Sequence, residues 1–336
     1  MIPERDLAAI DAALAPHWHA LDGARIFFTG GTGFIGRWML EALARAPIQV
    51  AVTLLTRDPA AFAARAPHIA ARFDTVAGDM LRFEAPAGPF THVIHGATDA
   101  SAALTQGDPR RMFDTIVTGT RAALDVAHAN GARFLLMSSG GIYGQQPWDM
   151  AHVAEDWTGA PDPRDPRSAY NSGKRAAEAL TAIYHHQFGL DTRVARIFAL
   201  LGPGLSLDTH FAAGNFIRDA MAGRTIEIIG TGEAVRSYLY AADLAVWMWM
   251  IHLCARPGAT YNVGSEEAVS IADLARRTAA LLGGPGVQIL GRADPGWNPG
   301  RYVPATRAIR DDLRVAPTID LDEAIRRTAA ANGWIP

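Results

Sequence analysis

Apolar positions along the chain follow two alternating rhythms. Compact runs of strand length occur at Arg25–Thr29, Val50–Thr56, Thr75–Ala77, His92–His95, Phe134–Ser138 and Thr192–Phe198. Between most of them lie segments of helical period, from Phe34 to Ala46, Pro109 to Asn130 and Ser168 to Phe188. Apolar strands alternating with helices predict an α/β fold with a doubly wound parallel sheet, covered on both faces. Ahead of the first strand, Leu7, Ile10, Leu14 and Trp18 share one face of segment 5–21, which predicts a helix packed on the outside of the domain. Residues 158–168 hold three prolines and are expected to form a loop. After Gly202 the pattern turns mixed, with short strands at Thr225–Ile229 and Tyr261–Val263, two helices, and a Gly/Pro-rich stretch from Gly283 to Gly300. This divides the chain into a first domain, 1–200, and a smaller mixed α/β substrate region, 201–336. The boundary is soft, and the chain can cross back.

Composition narrows the class. Among 336 residues, Lys plus Arg number 31 and Asp plus Glu 34, a net charge of −3. That balance provides no basic footprint for nucleic acid and no polybasic anchor for a membrane surface. The longest apolar stretch, Leu244–Ile251, is far short of the ~20 residues that span a bilayer. Glu4, Arg5, Asp6 and Asp11 leave the N-terminus without signal-peptide character. The single cysteine, Cys254, reads as a small core residue, and no metal site is expected. His185 and His186 diverge on a helix, His17 and His19 read as surface residues, and Trp247-Met248-Trp249-Met250 as core packing. A cytoplasmic homodimer is the expectation.

Candidate chemistry begins at Thr29-Gly30-Gly31-Thr32-Gly33-Phe34-Ile35-Gly36, between the first strand and the first long helix. Gly30 permits the tight turn, Gly33 lets backbone approach a pyrophosphate, and Gly36 lets helix pack on strand. The N–H groups opening that helix, at Phe34 and Ile35, then face the phosphates, as in a Rossmann-type dinucleotide site. The second strand ends Thr56-Arg57-Asp58. An acidic side chain here would meet the ribose hydroxyls of NAD, and an arginine the 2′-phosphate of NADP. Arg57 tips the reading toward NADP, with NAD open.

Further on, Tyr170-Asn171-Ser172-Gly173-Lys174 places a phenol and an amine one helical turn apart. An ammonium beside a phenol favours the phenolate, so Tyr170 is expected to titrate toward neutrality and shuttle protons. Ser138-Ser139 end a strand on the same sheet edge and can hydrogen-bond a substrate alcohol or carbonyl.

With these motifs in place, the chain resembles the extended short-chain dehydrogenase/reductases, specifically the nucleotide-sugar epimerases and dehydratases. In that family a serine ahead of a Tyr-Gly pair is catalytic. In Ser138-Ser139-Gly140-Gly141-Ile142-Tyr143-Gly144 the position falls on Ser139, with Tyr143 nearby as a substrate contact. The resemblance makes Tyr170 and Lys174 the catalytic pair, Asp79 and Met80 adenine contacts, and His95-Gly96-Ala97 the segment running past the cofactor, with Ala97 touching it. Gly230–Asp243 resembles the stretch whose arginine, here Arg236, grips a nucleotide diphosphate. Asn215 and Arg301 resemble further nucleotide contacts, and Tyr261-Asn262-Val263-Gly264 a structural segment.

Three departures mark this sequence. Gly140-Gly141 stand where family dehydratases carry Asp-Glu, Ile116 replaces the asparagine of an Asn-x-x-Gly-Thr motif, and Ala199 replaces an asparagine after the sixth strand. The resemblance therefore implies an NAD(P)-dependent nucleotide-sugar epimerase working by reversible oxidation at C4. An NADPH-dependent 4-keto-sugar-nucleotide reductase is the alternative; a 4,6-dehydratase, a simple carbonyl reductase and a non-catalytic cofactor-binding protein stand behind it.

Overall fold

The structure is a computed structural model that describes residues 2–98, 107–208, 211–292 and 298–335. The chain begins with α1 (Glu4–Leu14), β1 (Arg25–Thr29), α2 (Phe34–Arg45), β2 (Ala51–Thr56), α3 (Pro59–Arg65), α4 (Pro67–Arg72) and β3 (Asp74–Ala77). It continues through β4 (His92–His95), α5 (Pro109–Asn130), β5 (Arg133–Ser139), α6 (Ala169–Phe188), β6 (Thr192–Ile197) and β7 (Leu200–Leu201). Next come α7 (Ala212–Met221), β8 (Ile226–Ile228), β9 (Val235–Arg236), β10 (Leu239–Tyr240), α8 (Ala241–Cys254) and β11 (Ala259–Val263). The last elements are β12 (Val269–Ser270), α9 (Ile271–Leu282), β13 (Val287–Ile289), β14 (Arg301–Tyr302), α10 (Arg307–Leu313) and α11 (Leu321–Ala331).

Seven strands form one parallel sheet in the order β11-β6-β5-β4-β1-β2-β3, the Rossmann-like arrangement the alternation predicts. Successive side chains of a strand point to opposite faces, so Ile26 and Phe28 enter one core cluster while Phe27 enters the other. The larger cluster lies under α1, α2 and α8. The smaller lies under α5 and α6, around Met112, Ile116, Leu124 and Ala177. Helix α8 is apolar all round because it is covered all round: Trp247, Met248 and Trp249 are buried between α1, α2 and the sheet. α5 starts where Asp108 accepts a hydrogen bond from the Arg111 amide and Pro109 supplies a preformed first turn.

Three sequence expectations are corrected. The strand read at Tyr261–Val263 is longer, Ala259–Val263, and pairs with β6 as the seventh strand of the main sheet. The chain thus leaves the sheet after β6 and returns to it with α8 and β11. The helix read over 5–21 stops at Leu14 and resumes as a single turn at Trp18–Leu21. Pro16 lacks the N–H that would continue it. Cys254, read as a core residue, is exposed at the end of α8, with Sγ 3.4 Å from His17 Nδ1. No helix among the described residues is long and apolar enough to cross a membrane.

Candidate active site

Strand order reverses between β1 and β4, and a cleft of about 1190 Å³ opens there along the carboxyl ends of the central strands. Its floor depends on missing side chains. Gly30 has φ +79°, and a Cβ on it would lie 2.4 Å from the carbonyl carbon of Gly96 and 2.5 Å from the nitrogen of Ala97. A Cβ on Gly36 would lie 2.4 Å from the Gly30 oxygen. A Cβ on Gly33, at the N-cap of α2, would only touch the Gly30 oxygen at 3.4 Å, and Gly33, Phe34 and Ile35 all line the cleft. The residues fit a dinucleotide phosphate: a glycine cradle whose crowded positions at Gly30 and Gly36 leave no space for a side chain, with the first turn of α2 opening onto the cleft.

At the end of β2, Asp58 accepts a hydrogen bond from the Ala61 amide at 2.9 Å and so caps α3. Arg57 lines the cleft beside it, and so does Arg65 from the far end of α3. The sequence reading did not single out Arg65; the Asp58-Pro59 cap, which begins a two-turn helix ending at that residue, was the available signal. Asp79, Met80 and Ala97 line the same end. His95 is buried between Thr29 Oγ1 (2.7 Å) and Thr120 Oγ1 (3.2 Å), and burial lowers its pKa to about 3. It is a neutral strut beneath the cofactor segment. Ile116 fills the space beside Gly173, where α5 and α6 approach closely.

Tyr170 and Lys174 project from α6 into the cleft with Ser139 from β5. Ser139 Oγ accepts from the Gly141 amide at 3.1 Å and lies 3.5 Å from the Tyr302 hydroxyl. Ser138 also lines the cleft, but its hydroxyl donates to Glu178, which distinguishes the two serines. Lys174 is 4% exposed and donates to the Met137 carbonyl at 2.9 Å, with Nζ 5.9 Å from the centre of the Tyr170 ring. Here electrostatics depart from expectation. Burial lowers the Lys174 ammonium to about 8 against the counter-pull of Glu178. Burial also raises the Tyr170 phenol above its ordinary value, the hydrogen bond with Ser139 working against it. Desolvation outweighs that hydrogen bond, so the phenol of the protein alone is protonated at neutral pH.

The substrate residues divide. Arg236 lines the cleft, its guanidinium donating to the Val235 and Gly300 carbonyls. Tyr143 does not reach it: the ring is 2% exposed, and its hydroxyl donates to Asn262 and accepts from Arg196. Arg301 lies over the Trp148 ring, 5.0 Å from its centre, outside the cleft lining. Asn215, on α7 beyond the lining residues Phe211–Ala213, accepts from Arg218 at 3.4 Å. Tyr238, Asn171 and Tyr302 line the cleft unforeseen; Tyr302 comes from a two-residue strand that no periodicity reveals.

Residues 26–264 match the model of the NAD dependent epimerase/dehydratase family. The chain belongs to that family. UDP-glucuronic acid decarboxylase 1 of Xenopus tropicalis is 28% identical over 313 residues, covering 91% of this chain and 72% of that protein. UDP-glucose 4-epimerase of Thermotoga maritima, solved with UDP-glucose, superposes with a TM-score of 0.76 at 20% identity, covering 92% of this chain and 98% of that one. dTDP-glucose 4,6-dehydratase of Bacillus anthracis, solved with NAD, gives a TM-score of 0.75 at 17% identity, covering 92% and 96%. Among members of this family, then, the glycine cradle, the Tyr170–Lys174 pair and Ser139 stand on a shared fold. In this member Gly140 and Gly141 are packed against side chains that would have to shift to admit a Cβ. A Cβ on Gly140 would lie 2.5 Å from the Phe198 ring, and one on Gly141 2.1 Å from Asn171 Oδ1.

The buried amine yields a stability prediction. An unfolded lysine titrates near 10.5 and the folded Lys174 at about 8, so between those values the unfolded state binds more protons and stability rises with pH. Below that window the full penalty applies, about 3 kcal/mol before subtracting the hydrogen bond to Met137. Lys174→Met is therefore expected to abolish turnover yet raise Tm at neutral pH, with the gain fading as pH climbs through the window. Thermal denaturation of both proteins across pH checks it, and a lower Tm for the variant at neutral pH would contradict it.

Proposed function

We propose that this protein is an NAD(P)-dependent nucleotide-sugar epimerase that oxidises and re-reduces C4 of the sugar on a retained cofactor. The observation that carries this reading is the meeting of Ser139, Tyr170 and Lys174 in one cleft, with Gly140 and Gly141, which carry no acidic side chain, directly after Ser139. Ser139 holds the C4 oxygen. Tyr170, as a phenolate supported by Lys174, takes the proton of the C4 hydroxyl to become the phenol and returns it when C4 is reduced again. Bound NAD(P)⁺ supplies the hydride acceptor and a positive charge that favours that phenolate. Arg236 grips the diphosphate, so the keto sugar can turn over while its nucleotide stays held. Ala199, which has no hydrogen-bonding side chain, suits a sugar that must be released to rotate.

A second reading has its own support: the decarboxylase relatives suggest the same C4 oxidation followed by loss of CO₂ from a uronic acid. A ketoreductase using NADPH would employ the same residues. A homodimer fits the exposed Phe113, Ile183 and Phe188 on α5 and α6. For the cofactor, Arg57 and Arg65 at the ribose end favour NADP, with Asp58 engaged in capping α3. Arg57→Ala should weaken NADP roughly 10- to 150-fold, the range for losing one charge-assisted bond, and leave NAD nearly unchanged. Titration of both cofactors decides it, and equal losses would remove Arg57 from the 2′-phosphate.

The reaction is tested with UDP-glucose, UDP-N-acetylglucosamine, dTDP-glucose and UDP-glucuronate in deuterated water, without added cofactor. Elimination across C5–C6 needs a base for the C5 proton and an acid for the leaving hydroxyl, and Gly140 and Gly141 supply neither. Catalytic formation of a C4 epimer with no deuterium at C5 and no loss of 18 mass units is expected. Release of CO₂ from UDP-glucuronate moves the protein to the decarboxylases, turnover of one equivalent to the reductases, and a dehydrated 4-keto-6-deoxy product to the dehydratases.

A further inference from the structure

The family match begins at Ile26, and the segment before it is built into the interior. Ile10, Leu14, Trp18 and Leu21 are all buried, and Trp18 meets Trp249 of α8 edge-on at 5.4 Å. Asp6 on α1 is wholly buried, which for a carboxylate demands partners. It has two: Arg327 of α11 donates to Oδ1, and the Tyr240 hydroxyl donates to Oδ2 at 2.6 Å. Burial and that hydrogen bond raise the Tyr240 phenol, which stays a donor. The other side of α1 is tied to α2, where Arg45 binds Glu4 at 2.8 Å and Asp11 at 2.7 Å.

Tyr240 also touches the machinery. Its ring packs against Trp38 of α2 at 6.0 Å, and Trp38 Nε1 donates to the Pro203 carbonyl. Its strand, β10, pairs with Leu200–Leu201 and receives the Ala199 carbonyl at the Leu239 amide, while Ala199, Leu200, Arg236 and Tyr238 all line the cleft. We propose that Asp6 is a positioning residue: through Tyr240 and Arg327, segment 2–22 straps the Arg236–Tyr240 turn to the cofactor helix α2. What Arg236 grips rests on the nucleotide-sugar reading above; the strap itself does not.

The test uses the full chain with Asp6→Asn, which keeps shape but removes the charge, and Tyr240→Phe, which removes one hydroxyl and leaves the Asp6–Arg327 pair. In the ligand-free protein, Asp6→Asn should speed amide exchange in residues 199–201 and 235–240 about tenfold and leave 26–36 unchanged, with a smaller effect for Tyr240→Phe. The KM for the sugar nucleotide and the dissociation constant for UDP should rise about five- to tenfold, with kcat and cofactor affinity within about twofold. Unchanged exchange at 235–240, or a lowered Tm with unchanged KM, overturns the proposal. Failure of the wild type to bind UDP removes the nucleotide reading alone, and amide exchange at 235–240 then decides for or against the strap.

Discussion

The site depends on one steric constraint, the contact of two backbones where the sheet reverses. Gly30 stands so close to Gly96 and Ala97 that not even a methyl group fits between them, and Gly36 repeats the constraint between α2 and the same loop. These contacts aim the start of α2 across the carboxyl ends of the strands. From that follows where a dinucleotide's phosphates can lie, and why Ser139, Tyr170 and Lys174 share one cleft with Arg57 and Arg65. His95, hydrogen-bonded to Thr29 on one side and Thr120 on the other, braces the contact from below.

A second constraint is electrical. Glu178 accepts from Ser138 and holds Arg196 at 2.8 Å, and Arg196 in turn holds the Tyr143 hydroxyl, which reaches Asn262 of β11. Such a buried network is worth little as net stability, but losing one member leaves a charge unpaired. It ties α6 to β5, β6 and β11, and so sets the height of the Tyr170–Lys174 pair above the sheet. The same burial holds the phenol protonated and lowers the buried ammonium to about 8, a store of unfavourable energy placed at the reacting centre.

Much of this was legible in the sequence because it is local. β1, β4 and α5 fall on the residues their patterns predict, since strand-length apolar runs, an Asp-Pro cap and a glycine turn act within a few residues. The glycine loop and the Tyr-x-x-x-Lys pair carry their geometry with them. What escaped was long-range. Tyr143 sits in a family motif, yet Arg196 and Asn262 claim its hydroxyl, and neither partner is near it in sequence. Arg301 and Tyr302 are adjacent in one short strand, but Tyr302 faces Ser139 while Arg301 turns to Trp148. The sign of the Tyr170 shift was missed for the same reason: helical spacing reveals the neighbouring charge but not the depth of burial.

The central claim is that hydride leaves C4 and returns to C4 within one cleft. A nucleotide sugar carrying deuterium at C4, incubated with the protein as purified, tests it most directly. The expected product is an epimer that keeps its deuterium at C4 in inverted configuration, with none released to solvent or passed to added cofactor. A C4 epimer that has lost the label, or none formed while the label stays in place in every nucleotide sugar tried, would contradict it.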